Sequence, residues 1–145
     1  MEEDFFNPQE TPTPVKRPVI LTILCILTFI GSGSSTVSFL MIFSSYNEVL
    51  PLMEEFTASF PALKPFITAP RSFFLAGFLL YLFSLIGASL MWRLNKAGFH
   101  FYTGAQIMIA FLPVFFIKDF PFPFLDGLVS ASFIALYYSN YKLFT

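Results

Sequence analysis

The chain has 145 residues, of which 56% are hydrophobic and 12% charged, and 22 are Phe. A soluble domain carries about 25% charged residues, and a core of this size could not hide so much apolar surface. An ordinary soluble domain is therefore excluded, and a net charge of −1 offers no footprint for nucleic acid.

Residues 1–16 read as a disordered cytoplasmic tail. Glu2, Glu3, Asp4 and Glu10, interspersed with Pro8, Pro12 and Pro14, offer nothing to pack. Lys16 and Arg17 mark a membrane boundary, and residues 17–145 read as one four-helix transmembrane domain. Four stretches lack Asp, Glu, Lys and Arg: Pro18–Asn47, Ser72–Trp92, Ala97–Ile117 and Gly127–Tyr141. A helix needs about 20 apolar residues to cross the hydrocarbon core, and the first three stretches exceed that. The expected spans are 18–44, 71–93, 96–117 and 124–141.

The first span could be mistaken for a cleaved signal peptide, because small residues follow its apolar start. Its acidic leader and its continuation through Val37, Phe39, Leu40, Met41, Ile42 and Phe43 argue for a retained helix. Its centre, Gly31-Ser32-Gly33-Ser34-Ser35-Thr36, is small and hydroxylated. In lipid, Gly31 and Ser35 would let a neighbouring helix approach closely. The alternative is a local break or the wall of a polar cavity.

Between the first two spans, Val49, Leu52, Met53, Phe56 and Phe60 recur at helical spacing, with Glu48, Glu54 and Glu55 on the other face. The pattern predicts a short amphipathic helix on the membrane surface. Asn47 is its expected cap, with Pro51 confined to the first turn. Pro61, Pro65 and Pro70 end it. Arg93-Leu94-Asn95-Lys96 leaves room only for a tight hairpin between the second and third spans. Pro113 should kink the third span.

Basic residues set the orientation. Lys16, Arg17, Arg93, Lys96 and Lys142 fall at one end; Lys64, Arg71 and Lys118 fall at the other. The richer end should be cytoplasmic, which puts both termini inside. Trp92, Tyr137, Tyr138 and Tyr141 form an aromatic belt at the same boundary.

Chemistry-bearing residues are few. His100, Thr103 and Gln106 make a polar stripe on the third span. Gln106 sits near mid-membrane, where an unpaired amide is costly. It should clasp another helix, with Ser32 and Ser35 of the first span as candidate partners. The same residues are the candidate lining of a polar pathway. Asp119 and Asp126 are a candidate acidic site at the outer face, or Asp126 is a structural residue at the start of the fourth span. His100 and Asp126 are expected near opposite faces, too far apart for an acid–base pair. One His and one Cys supply neither a zinc site nor a disulfide. The sequence therefore calls for no enzyme and no cofactor. On the fourth span, Gly127, Ala131, Ala135 and Ser139 recur every fourth residue as a small-residue packing stripe.

Three segments carry a resemblance: Lys16-Arg17-Pro18-Val19-Ile20-Leu21-Thr22, Leu27-Thr28-Phe29-Ile30-Gly31-Ser32-Gly33, and Met91-Trp92-Arg93-Leu94-Asn95-Lys96-Ala97-Gly98-Phe99. With Gln106, they resemble a group of small bacterial four-span inner-membrane proteins without an assigned activity. The resemblance implies a bacterial inner-membrane location and carries over no reaction.

The expected architecture is an all-α bundle of four transmembrane helices plus the surface helix. The expected function is non-enzymatic, by helix association in the lipid, either with itself or with another membrane protein. The alternative is a small transporter or channel lined by polar residues of the first and third spans.

Overall fold

A computed structural model describes residues 16–145. The segment read as an acidic tail lies outside the described residues, except for Lys16. The described chain is all helical: α1 (Val19–Ser44), α2 (Tyr46–Ser59), α3 (Lys64–Ile67), α4 (Arg71–Trp92), α5 (Lys96–Phe116) and α6 (Phe124–Ser139). Single 3-10 turns cover Pro61–Leu63 and Tyr141–Leu143. Three helices, α1, α4 and α5, are long and apolar enough to cross a membrane. The fourth expected span is shorter: α6 has 16 residues. At 1.5 Å per residue it reaches about 24 Å, short of a hydrocarbon core about 30 Å thick.

The small-residue centre of α1 does not break the helix. Its hydroxyls bond back to the preceding turn, Thr36 to the Ser32 carbonyl at 2.6 Å and Ser34 to the Gly31 carbonyl at 3.0 Å. That local satisfaction makes a hydroxyl run tolerable in an apolar medium. The buried face of α1 is Leu21, Leu24, Cys25, Thr28, Ser32 and Thr36. Gly31 is not at a close crossing, since a Cβ there would meet nothing within 4 Å.

The closest approach lies between α4 and α5. A Cβ on Gly87 would fall 2.6 Å from the Tyr102 backbone nitrogen and 3.0 Å from the Gly98 carbonyl oxygen. A Cβ on Gly98 would fall 2.6 Å from the Gly87 carbonyl oxygen. The two backbones touch because neither residue has a side chain. The expected tight hairpin joins these helices. Asn95 N–H donates to the Leu90 carbonyl at 3.0 Å and Leu94 N–H to the Met91 carbonyl at 2.9 Å, which closes a Schellman motif. Leu94 holds the left-handed position at φ 59°, where glycine is usual. Its side chain packs on the Leu21–Met91–Tyr137 cluster, which offsets a backbone cost of roughly 1–2 kcal/mol. The Asn95 side chain then accepts from Ala97 N–H at 2.9 Å and caps α5.

Two apolar clusters close the ends of the bundle. One gathers Leu21, Leu24, Met91, Phe99, Tyr102 and Tyr137 around the buried Phe144. The Thr145 N–H donates to the Leu94 carbonyl at 2.7 Å, which ties this segment to the hairpin. At the same end, the Arg17 guanidinium lies 4.4 Å from the Trp92 ring centroid and donates to the Trp92 carbonyl. The second cluster gathers Phe73, Phe74, Leu112 and Ile117 with Phe39, Phe66 and Phe120. Here Arg71 stacks on Phe43 at 4.6 Å and donates to its carbonyl.

Two expectations for the surface helix need correction. The helix starts at Tyr46 with Ser45 at the cap position, and no side chain caps it, so Asn47 lies inside. Pro51 therefore falls in the second turn, where it deprives the Asn47 carbonyl of its i+4 donor. Ser45 N–H bonds the Met41 carbonyl, and α2 follows α1 after one residue. Leu52, Phe56 and Phe60 remain exposed along α2. Pro113 lies inside α5, and the helix runs on to Phe116.

The glycine contact yields a direct test. Gly87→Ala should lower the unfolding free energy by about 1–3 kcal/mol, because two backbones must separate. Gly104→Ala meets nothing within 4 Å and should be neutral or slightly stabilising. Helicity followed through a denaturing-detergent titration separates the two. Equal behaviour of both variants would show that the α4–α5 contact is not close.

Candidate functional site

A polar layer lies between the two apolar clusters. Ser130 of α6 donates to Gln106 Oε1 of α5 at 3.0 Å. Gln106 Nε2 donates to Ser84 Oγ of α4 at 3.2 Å. Ser84 Oγ and Ser32 Oγ of α1 are hydrogen-bonded at 2.9 Å, and either hydroxyl can donate. The relay thus joins α1, α4, α5 and α6, one residue from each. Ser32, Ser84 and Gln106 are all buried. Away from water such a chain has no competing donor, although a single interhelical bond in lipid is worth only about 0.6 kcal/mol on average.

A second link joins α1 to α6 nearer the first cluster. The Thr28 and Tyr137 hydroxyls lie 2.9 Å apart, and the Tyr137 ring meets Tyr102 edge-on at 5.0 Å. Cys25 is buried beside them with a free thiol.

Around the relay, two adjoining cavities open along α6, the smaller mostly against α5 and the larger mostly against α1. They measure about 360 and 420 Å³ and share Tyr81, Gln106, Asp126, Val129 and Ser130. The smaller is walled by Phe39, Phe73, Ile109 and Pro113. The larger is walled by Gly31, Ser32, Ser35, Tyr102 and Phe133. Among the described residues, Asp126 is the one carboxylate in either lining, and no Lys, Arg or His lines either.

The structure divides the sequence-derived stripe of α5. Gln106 belongs to the relay. Thr103 Oγ1 is buried with no hydrogen-bond partner. His100 is exposed, with Nε2 3.4 Å from the Tyr141 hydroxyl. Neither His100 nor Thr103 lines the cavities. Steps of three residues turn about 60° around a helix, so the three side chains diverge. Ser32 enters the relay and Ser35 the cavity wall. The two acidic residues also separate. Asp119 is an exposed turn residue at φ 59° that lines neither cavity. Asp126, also exposed and in the first turn of α6, lines both with Tyr81 and Gln106. On α6, Gly127 is half-buried, whereas Ala131, Ala135 and Ser139 are exposed. Among the described residues, no three His, Cys, Asp or Glu side chains converge on a metal position.

Ser84, Ser130 and Tyr81 are site residues that charge and motif reasoning missed. A signal for Ser130 exists: Asp126, Ser130, Phe133 and Tyr137 fall on one face of α6 at i, i+4, i+7 and i+11. Ser84 lies one turn from Gly87, on the face that must approach another helix.

No protein-family model matches the chain, and no curated protein or solved structure is significantly similar to it.

The relay predicts coupling between distant residues. Gln106→Leu should destabilise the fold by about 1 kcal/mol, since it strands Ser130 and leaves the Ser32–Ser84 pair intact. In a double-mutant cycle, Ser130→Ala should cost measurably less in the Gln106→Leu background than in the native chain. Strict additivity would mean that Ser130 and Gln106 do not interact.

Proposed function

We propose that this chain is an integral membrane protein with four spans that acts by helix association and not by catalysis. Its three long apolar helices support the membrane reading. The fourth span in this reading is α6, extended to the interface by Phe120–Pro123 on one side and by Tyr141 on the other. The orientation rests on the basic residues. Arg17 lies on Trp92, and the hairpin pairs with Thr145, which supports grouping Lys16, Arg17, Arg93, Lys96 and Lys142 at one end. Under the positive-inside rule that end is cytoplasmic, with both termini. A bacterial inner membrane agrees with this polarity and with the sequence resemblance.

The observation that carries the association reading is the exposure of α6. Only Tyr137 of this helix is buried. Residues spaced by four advance about 40° around a helix at each step. The stripe that begins beside Phe122 at Gly127 therefore swings away from the bundle through Ala131 and Ala135 to Ser139. Small residues on a lipid-facing helix let a second backbone approach closely. A second copy of the chain is the simplest partner, and another membrane protein is the other.

Native mass spectrometry from a mild detergent tests this. The native chain should fly as a defined homo-oligomer. Ala131→Leu should shift it to monomer with unchanged helicity and unfolding midpoint. An oligomer indifferent to Ala131→Leu, or a monomeric native chain without a protein partner, would remove the reading.

A second reading, a small transporter or channel, draws support from the cavities. Ser32, Ser35 and Gln106 stand at them, whereas His100 and Thr103 of the expected lining do not. This reading expects Gln106→Leu to lose flux while the protein still folds.

A further inference from the structure

We propose that the adjoining cavities along α6 bind a small organic cation, with the Asp126 carboxylate as its counter-charge. Charge comes first. A carboxylate facing a space walled by apolar helices is costly unless a positive partner neutralises it. Asp126 is exposed in the first turn of α6 and opens onto both spaces, and among the described residues no basic side chain lines either, so a counter-charge held there comes from outside the chain. That sign excludes an anionic ligand.

The walls then select the kind of cation. Phe39, Phe73, Tyr81, Tyr102 and Phe133 line the two spaces. Aromatic faces attract ammonium groups and hold their apolar substituents. Hydroxyl oxygens of Ser35 and Tyr81 stand in the same lining as acceptors. Pro113 has no N–H, so the Ile109 carbonyl lacks its i+4 donor, and both residues line the smaller cavity. A divalent metal ion would need several hard ligands, and among the described residues Asp126 is the one carboxylate in either lining. Volumes of about 360 and 420 Å³ match a small molecule and exceed a bare ion. The site uses the inward face of α6, opposite the proposed association stripe, so the two proposals stand or fall separately.

The test uses the full chain in uncharged maltoside micelles, with isothermal titration of benzyltrimethylammonium and of its neutral isostere neopentylbenzene, both corrected by empty micelles. The native chain should bind the cation saturably at one site, at least tenfold more tightly than the isostere. Asp126→Asn should weaken cation binding at least tenfold with unchanged helicity. Gly31→Leu keeps the charge but fills open space in the larger cavity, and should also weaken binding at least tenfold. It provides the readout if Asp126→Asn does not fold. Added phosphatidylethanolamine separates two sources of the same chemistry. Competition assigns the site to a lipid amine, and its absence assigns it to a soluble cation. Absence of saturable binding, equal affinity for cation and isostere, or native affinity in Asp126→Asn would overturn the proposal.

Discussion

The contact of two backbones at Gly87 and Gly98 governs what the rest of the bundle can do. In an antiparallel pair, one turn back along α4 from Gly87 reaches Ser84, and one turn forward along α5 from Tyr102 reaches Gln106. The Gly87 position lies against the Tyr102 backbone, so the Ser84 hydroxyl falls within reach of the Gln106 amide. A methyl group at Gly87 would push α5 away and lengthen a bond that is already 3.2 Å. The relay is thus a consequence of glycine placement. The close approach also explains why α4 is central, packed on α1 with one face and on α5 with the other.

In the proposed membrane setting, lipid removes the usual reason for helices to associate, because acyl chains are as apolar as the Phe and Leu side chains they would replace. Packing shape and hydrogen bonds must then choose the partner and the register. The two aromatic clusters supply shape at the ends, and the polar layer supplies register between them. A one-turn slip of any helix would leave a buried hydroxyl or amide without a partner, at a cost comparable to the whole relay. Arginine marks each end in the same way. Arg17 and Arg71 cap the first and second clusters, each over an aromatic face and bonded to a carbonyl on a neighbouring segment.

What the sequence made legible follows the same physics. Charge-free length identified the three long helices directly, since each stretch reaches the length that a membrane-crossing helix needs. The need of Gln106 for a partner was also legible, because a buried amide cannot stay unpaired. Its actual partners were not. Serine is almost neutral in hydropathy, and whether Ser84 or Ser130 faces Gln106 depends on the rotation of each helix about its axis. The Gly-Ser run of α1 shows the same limit. Composition allowed either a close crossing or a cavity wall, and the choice was decided by α6, which lies too far from Gly31 to touch a Cβ there. The surface helix begins two residues earlier than a cap at Asn47 suggested, because α1 runs almost directly into it and no side chain caps it.

The loose attachment of α6 has a mechanical consequence. Its polar ties are few, chiefly Ser130 to Gln106 and Tyr137 to Thr28, while α1, α4 and α5 share extensive buried faces. Among the helices joined by the relay, α6 is therefore the one that moves at least cost. It also carries both features proposed to meet something outside the chain, Asp126 on one face and the Ala131–Ala135–Ser139 stripe on another. An occupant of the cavity that favours one tilt of α6 must favour the matching presentation of the stripe. By linkage, a partner on the stripe must then change the affinity of the cavity by the same factor. Coupling between the two faces requires no long pathway, because one short helix supplies both.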